Sequence, residues 1–148
     1  MITLVIDFLT LQTAKHYGSL GRLYQSMEYC DKAEQMHLKA IHIKEKLLGK
    51  DDYEVALSIG HLASLYNYDM KEYGKAEELH VRSIKLGLKL FGPGYSGLEY
   101  DYRGLLRIYQ ELQASLFLQS LKNTKVFDTF NRWTKCVELW PRQESKFL

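Results

Sequence analysis

At 148 residues, 46% hydrophobic and 26% charged, the chain is long enough for one domain and has the balance of one that buries a core. Its 20 basic and 18 acidic side chains leave a formal charge of +2, so no broad field recruits nucleic acid or an anionic membrane surface. Cys30 and Cys136 lie far apart with no CxxC spacing, which fits a reducing compartment better than a disulfide framework and makes the expected location cytoplasmic.

The run from Ile2 to Leu11 is apolar but broken by Thr3, Asp7 and Thr10, and it has neither a basic leader nor the length of a spanning helix. No other stretch approaches eighteen apolar residues, so no transmembrane segment is expected. Residues 1–11 have no counterpart further on. They read as an N-terminal extension that covers the edge of the first helix pair or survives from a preceding repeat.

From residue 12 a pattern recurs. Tyr17, Leu20, Gly21 and Tyr24 fall at i, i+3, i+4, i+7, as do Ile59, Leu62, Ala63 and Tyr66, and then Tyr102, Leu105, Leu106 and Tyr109; the sets lie 42 and 43 residues apart. That spacing puts each set on one helical face, directed inward, and the offset marks a repeat array. A partner helix follows each of the first two stripes, with Ala33, His37 and Ala40 answered by Ala76, His80 and Ser83. The predicted helices run from about Gln12 to Met27, Cys30 to Leu48, Tyr53 to Asp69 and Tyr73 to Phe91. Gly49 reads as a C-terminal cap, Gly92-Pro93-Gly94 as a stop, and Asp51 with Glu54 and Ser96 with Glu99 as capping boxes. Gly18 and Gly21 inside the first helix each cost about 1 kcal/mol relative to alanine and call for a packing reason.

The expected organisation is therefore residues 1–11 as an extension, repeats over 12–49 and 53–92, a partial third over 96–113, and a divergent C-terminal helical cap or tail over 114–148. In that last part Leu116, Phe117, Leu118 and Leu121 form a broad apolar stretch, and Val126, Phe127, Phe130, Trp133 and Val137 space as another amphipathic helix before Pro141. Phe127, Phe130, Trp133 and Trp140 read as core or cap packing ahead of the alternative, an exposed partner-binding stripe. About three repeats are usually needed for a stable stack, so the C-terminal segment is expected to act as a cap.

The fold class that follows is all-α, a right-handed superhelical stack of antiparallel helix pairs. The spacing of Gly21, Tyr24, Ala33 and Ala40, kept by Ala63, Tyr66, Ala76 and Ser83 with one extra residue in the turn, resembles the tetratricopeptide repeat. The longer period, with Lys46-Leu47-Leu48-Gly49 and Lys89-Leu90-Phe91-Gly92 closing the units, is similar to the kinesin light chain type of that repeat. The resemblance implies a TPR solenoid that serves as a protein-interaction adaptor. A closer likeness to a cytoplasmic member of the group is carried by TAKHYGSLGRLYQSM, DYEVALSIGHLASLYNYDM and FGPGYSGLEYDYRGL, spanning about Thr13 to Leu106. It implies binding of the cytoplasmic tail of the amyloid precursor protein, association with microtubules in intracellular transport, and a role as substrate receptor of a cullin-based ubiquitin ligase.

In such a stack the first helices line the inner side, where an extended peptide can lie. Removing the inward stripe leaves Lys15, Arg22, Gln25 and Ser26, then Ser64, Asn67 and Tyr68, then Arg103, Arg107 and Gln110. Four of these are basic and none is acidic, and Asn67 offers both a donor and an acceptor. A peptide with acidic side chains or a free carboxylate suits such a set, the arginine forks gripping it in pairs of hydrogen bonds.

The five histidines lack ligand spacing, and His37 and His80 sit at equivalent places in the packing stripe, so no metal or cofactor is expected. There is no nucleophile elbow or P-loop, and no enzyme is expected. The alternative to a peptide-binding adaptor is a structural fragment that associates with a longer relative through its exposed repeat edges.

Overall fold

The computed structural model describes residues 1–116. Among these the chain forms five α-helices and one π-helical turn, with no strand: α1 (Ile2–Ser26), α2 (Cys30–Leu48), α3 (Tyr53–Ser64), the π turn Leu65–Asp69, α4 (Tyr73–Phe91) and α5 (Leu98–Leu116). Met1–Gly104 makes one compact unit, and a second begins at Leu105. In the first unit α1 packs on α2, α3 packs on α4, and α2 joins the pairs by packing on α3. This is the all-α antiparallel helix-pair stack that the periodicity predicts.

The core follows the small residues of the repeat. Ala14 on α1 and Ala33 and Ala40 on α2 are fully buried, as are Ile59, Ala63 and Ala76 in the second pair. Small side chains at these positions let backbones approach, and Gly21 shows how closely: a Cβ built there falls 2.8–2.9 Å from the ring of His37. Gly18 has no such reason. A Cβ there meets nothing within 4 Å, so only one of the two glycines is held by packing.

Four features differ from the sequence-based expectation. First, α1 starts at Ile2, ten residues before Gln12, so the N-terminal stretch continues the first helix; no proline or glycine precedes Gly18 to interrupt it. Second, the extra residue of the second repeat is absorbed within the helix instead of the turn. Met70 N–H donates to Leu65 O at 3.0 Å, the i to i−5 bond of a π turn, which takes up one inserted residue. Third, the cap of α3 is Asp52, whose carboxylate accepts from Glu54 N–H at 2.8 Å, while Asp51 pairs with Lys89. Fourth, Leu20 and Leu106 are 40% and 38% exposed. Leu20 stands in the register of Leu62, which is 2% exposed in the second pair; the helix expected after α5 falls outside the described residues, as does the rest of the C-terminal cap or tail.

Gly49 and Gly92 close α2 and α4 with φ of +87° and +77°, values at which glycine escapes the Cβ penalty. The turns inside the pairs place Glu28 and Lys71, 43 residues apart, at φ of +64° and +55°. In the second unit, Leu105, Ile108 and Tyr109 are buried.

Each interface between consecutive pairs buries a histidine from the second helix. His37, fully buried, lies 6.2 Å ring to ring from His61, and neither of its nitrogens has a hydrogen-bond partner among the described residues. Burial, then the neighbouring His61 and Arg22, push it down to about 4. Beside it the buried Lys44 ammonium donates to Glu54 Oε2 at 3.0 Å and Ser58 Oγ at 2.9 Å. His80 meets a different setting: its Nδ1 donates to Asp101 Oδ1 at 2.8 Å, and Asp101 Oδ2 accepts from Ser83 Oγ at 2.7 Å.

Two outcomes are expected in urea or thermal melts. Gly18→Ala raises stability by up to about 1 kcal/mol, because helix propensity improves in open space. Gly21→Ala lowers it by about 1–2 kcal/mol, since overpacking against the His37 ring outweighs the same propensity gain. The pH dependence has a definite sign as well. His37 binds its proton less readily folded than unfolded, so the unfolded chain holds more protons between the unfolded value near 6.5 and the folded value of about 4. Stability is full above that window and falls as pH drops through it, by at most about 3 kcal/mol from this group. Melts of His37→Leu across that range should show a shallower slope than the parent.

Candidate functional site

The first helices of the stack stand next to one another in sequence order, and side chains tie each to the next. Lys15 Nζ on α1 lies 3.7 Å from Glu54 Oε1 on α3. Gln25 Nε2 donates to Asp69 Oδ2 at 2.6 Å. Asn67 Nδ2, 42 positions after Gln25, donates to Gly104 O on α5 at 2.9 Å. These ties fix a face made of α1, α3 and the start of α5.

Of the residues singled out from spacing, Lys15, Arg22, Ser26, Tyr68 and Arg103 are exposed, and Gln25 and Ser64 are half-buried. Ser26 Oγ donates back to Leu23 O at 2.7 Å. Arg103 pairs with Glu99 one turn earlier on α5. Asn67, expected to offer its amide to a peptide, is fully buried and holds α5 instead, as Gln25 at the equivalent place in α1 reaches Asp69. Arg107, half-buried, and Gln110, exposed, belong to the unit that starts at Leu105.

The electrostatics of this face centre on Arg22. His61 is held low by burial first and then by the Arg22 and Lys44 charges, against a smaller pull from Asp101, so it adds no charge at neutral pH. Glu54 is half-buried, which works to raise it, but the Lys44 hydrogen bond and the Lys44 and Lys15 charges win and keep its carboxyl below the usual range. Lys15 is thereby partly matched, and Arg22 is the exposed cation beside two neutral imidazoles.

Next to the polar stripe a cavity of about 170 Å³ opens, and spacing alone did not single it out. Tyr53 and Leu57 on α3, Leu90 and Phe91 on α4, and Tyr95 and Tyr100 near the start of α5 ring it; Gly60, Ser83, Gly87, Gly97 and Asp101 also line it. The Tyr53 and Phe91 rings meet edge to face at 5.5 Å, and Phe91 lies 4.7 Å from Tyr95. Burial and the Tyr53 hydroxyl push Tyr95 up to about 12.

The repeat offset explains why the cavity is here. Counting on by 43, Lys44 becomes Gly87, Glu54 becomes Gly97, Ser58 becomes Asp101 and His61 becomes Gly104. Where the first interface holds a buried ion pair, the second has two glycines, and Leu98 and Tyr95 move in, each within 3 Å of where a glycine Cβ would stand. They fill only part of the space. The signal was available in the sequence as a position-by-position comparison of the repeats, but a search limited to polar residues passes over Leu57 and Tyr100.

The chain matches the tetratricopeptide repeat pattern over residues 13–54 and 55–94. It is 70% identical over 102 residues to the amyloid protein-binding protein 2 of Mus musculus and 72% identical over 99 residues to that of Rattus norvegicus, covering 69% and 67% of this chain. It spans 17% of the length of each of these relatives. With the pattern matched over more than half of its residues, the chain belongs to the tetratricopeptide repeat family.

Proposed function

We propose that this chain is a non-catalytic adaptor that takes an extended peptide along the α1, α3 and α5 face. One observation carries the reading: the apolar cavity ringed by Tyr53, Leu57, Phe91 and Tyr100 opens beside a stripe holding Lys15, Arg22 and Arg103. A cavity of this size takes one side chain, so it fixes register, while cations along the stripe favour an acidic peptide and set its direction. Ser26, Ser64 and Tyr68 supply neutral hydrogen-bonding groups along the same first helices.

The name of the relatives supports an amyloid protein as ligand, and the cytoplasmic tail of the amyloid precursor protein is the ligand we assign. Read this way, the chain works in the cytoplasm; among the described residues no helix is long and apolar enough to cross a membrane. The same likeness extends the proposal to intracellular transport with microtubules as partners and to substrate reception for a cullin-based ubiquitin ligase.

Fluorescence polarisation with labelled tail peptides tests the site. Arg22→Glu should weaken binding of an acidic peptide about tenfold through lost charge complementarity, with a steep salt dependence in the parent. Tyr100→Ala should weaken it by a similar factor with little change in salt dependence, because it removes an apolar wall. Unchanged affinity in both variants overturns the assignment of the face.

A further inference from the structure

The cavity between α3, α4 and the start of α5 stands where the first interface holds a lysine. In that earlier contact the buried Lys44 ammonium donates to Ser58 Oγ at 2.9 Å and to Glu54 Oε2 at 3.0 Å. The equivalents 43 residues on are Gly87, Asp101 and Gly97, and all three line the cavity. The cation is gone, while a carboxylate stands at the place of Ser58 instead of the place of Glu54. Asp101 keeps acceptor capacity there: Oδ1 meets His80 Nδ1 at 2.8 Å and Oδ2 accepts from Ser83 Oγ at 2.7 Å, and a carboxylate takes about two hydrogen bonds on each oxygen. Exposure tells mouth from floor. Tyr53, Leu57 and Phe91 are 38–53% exposed, whereas Ser83 and Asp101 are 7% and 5% exposed, so a side chain entering the cavity passes aromatic and apolar walls before it reaches the carboxylate.

We propose that this cavity takes a lysine side chain of the bound peptide, its methylene stem against the aromatic walls and its ammonium on Asp101. The proposal rests on the reading of the cavity as the peptide's side-chain pocket. The incoming ammonium does what Lys44 does in the first contact: it donates to the residue at the place of Ser58, now a carboxylate, in a charge-assisted hydrogen bond. Tyrosine and phenylalanine rings cover the methylenes and attract the cation as well. Other occupants fare worse by the same chemistry. A purely apolar side chain shuts Asp101 away from water with lone pairs unused, and an acidic one sets two carboxylates together. Lys15 and Arg22 on the stripe then select the residues around the lysine, so the partner is an acidic segment interrupted by one lysine.

Fluorescence polarisation on the full chain reads the pocket with labelled glutamate-rich peptides that carry lysine, ε-acetyl-lysine or norleucine at the centre. The lysine peptide should bind about tenfold tighter than either neutral form, although it brings less negative charge to the stripe, and Asp101→Asn should cut that preference to about twofold or less. Norleucine binding as tightly as lysine, with Arg22→Glu and Tyr100→Ala still weakening both, overturns the lysine assignment and leaves the peptide face standing. No binding by any of the three overturns the peptide reading and this proposal with it. A second measurement needs no peptide. Gly87→Lys restores the side chain that Lys44 supplies in the first contact, and the nearest atom to its Cβ, Leu98 Cδ2 at 2.9 Å, is the movable end of a side chain. Against Gly87→Met, similar in length but uncharged, Gly87→Lys should melt at least about 3 °C higher, and the gap should close when Asp101→Asn is added to both. Gly87→Lys melting at or below Gly87→Met, or a gap that Asp101→Asn leaves unchanged, overturns the proposal.

Discussion

A histidine at one place in every second helix constrains how this stack is joined. His37 and His80 sit 43 residues apart, both shut away from solvent, and the helix that packs on each must accommodate an imidazole. In the first interface the neighbour is His61, and the buried charge is Lys44, neutralised by Glu54 and bonded to Ser58. In the second the neighbour is Gly104, whose missing Cβ leaves room for the His80 ring, and the buried charge is Asp101, held by His80 and Ser83. The buried charged side chain differs between the two interfaces, yet each is hydrogen-bonded inside its own contact. That rule has a physical basis: removing one partner of a buried pair costs about 3–5 kcal/mol, so charge and partner must change together.

Two interfaces built on one plan but with different chemistry cannot have the same shape. Replacing Lys44 and Glu54 with the equivalents Gly87 and Gly97 removes two long side chains from the later contact. Tyr95 and Leu98 reclaim part of that volume, and the remainder is the aromatic-walled cavity. A void of this kind is a stability loss if it serves nothing, and it opens where the exposed first-helix face can present a ligand. The departure from the repeat and the candidate site thus coincide, as expected when local rules are broken for function.

How much of this was legible in the sequence depended on whether a feature was periodic. The stripe from Ile59 to Tyr66 is wholly buried as the spacing requires, and the paired helices α2 and α4 run over the residues predicted for them. What the period could not carry was an edge effect or a local choice. Leu20 and Leu62 occupy the same register, but only Leu62 has a neighbouring pair on that side, so identical leucines end in opposite environments. The inserted residue of the second repeat has two places to go, the turn or the helix, and composition does not distinguish them; it is taken up in the π turn Leu65–Asp69. Asn67 and Gln25 are both polar residues off the stripe, and polarity alone does not separate a side chain facing solvent from one reaching the next helix.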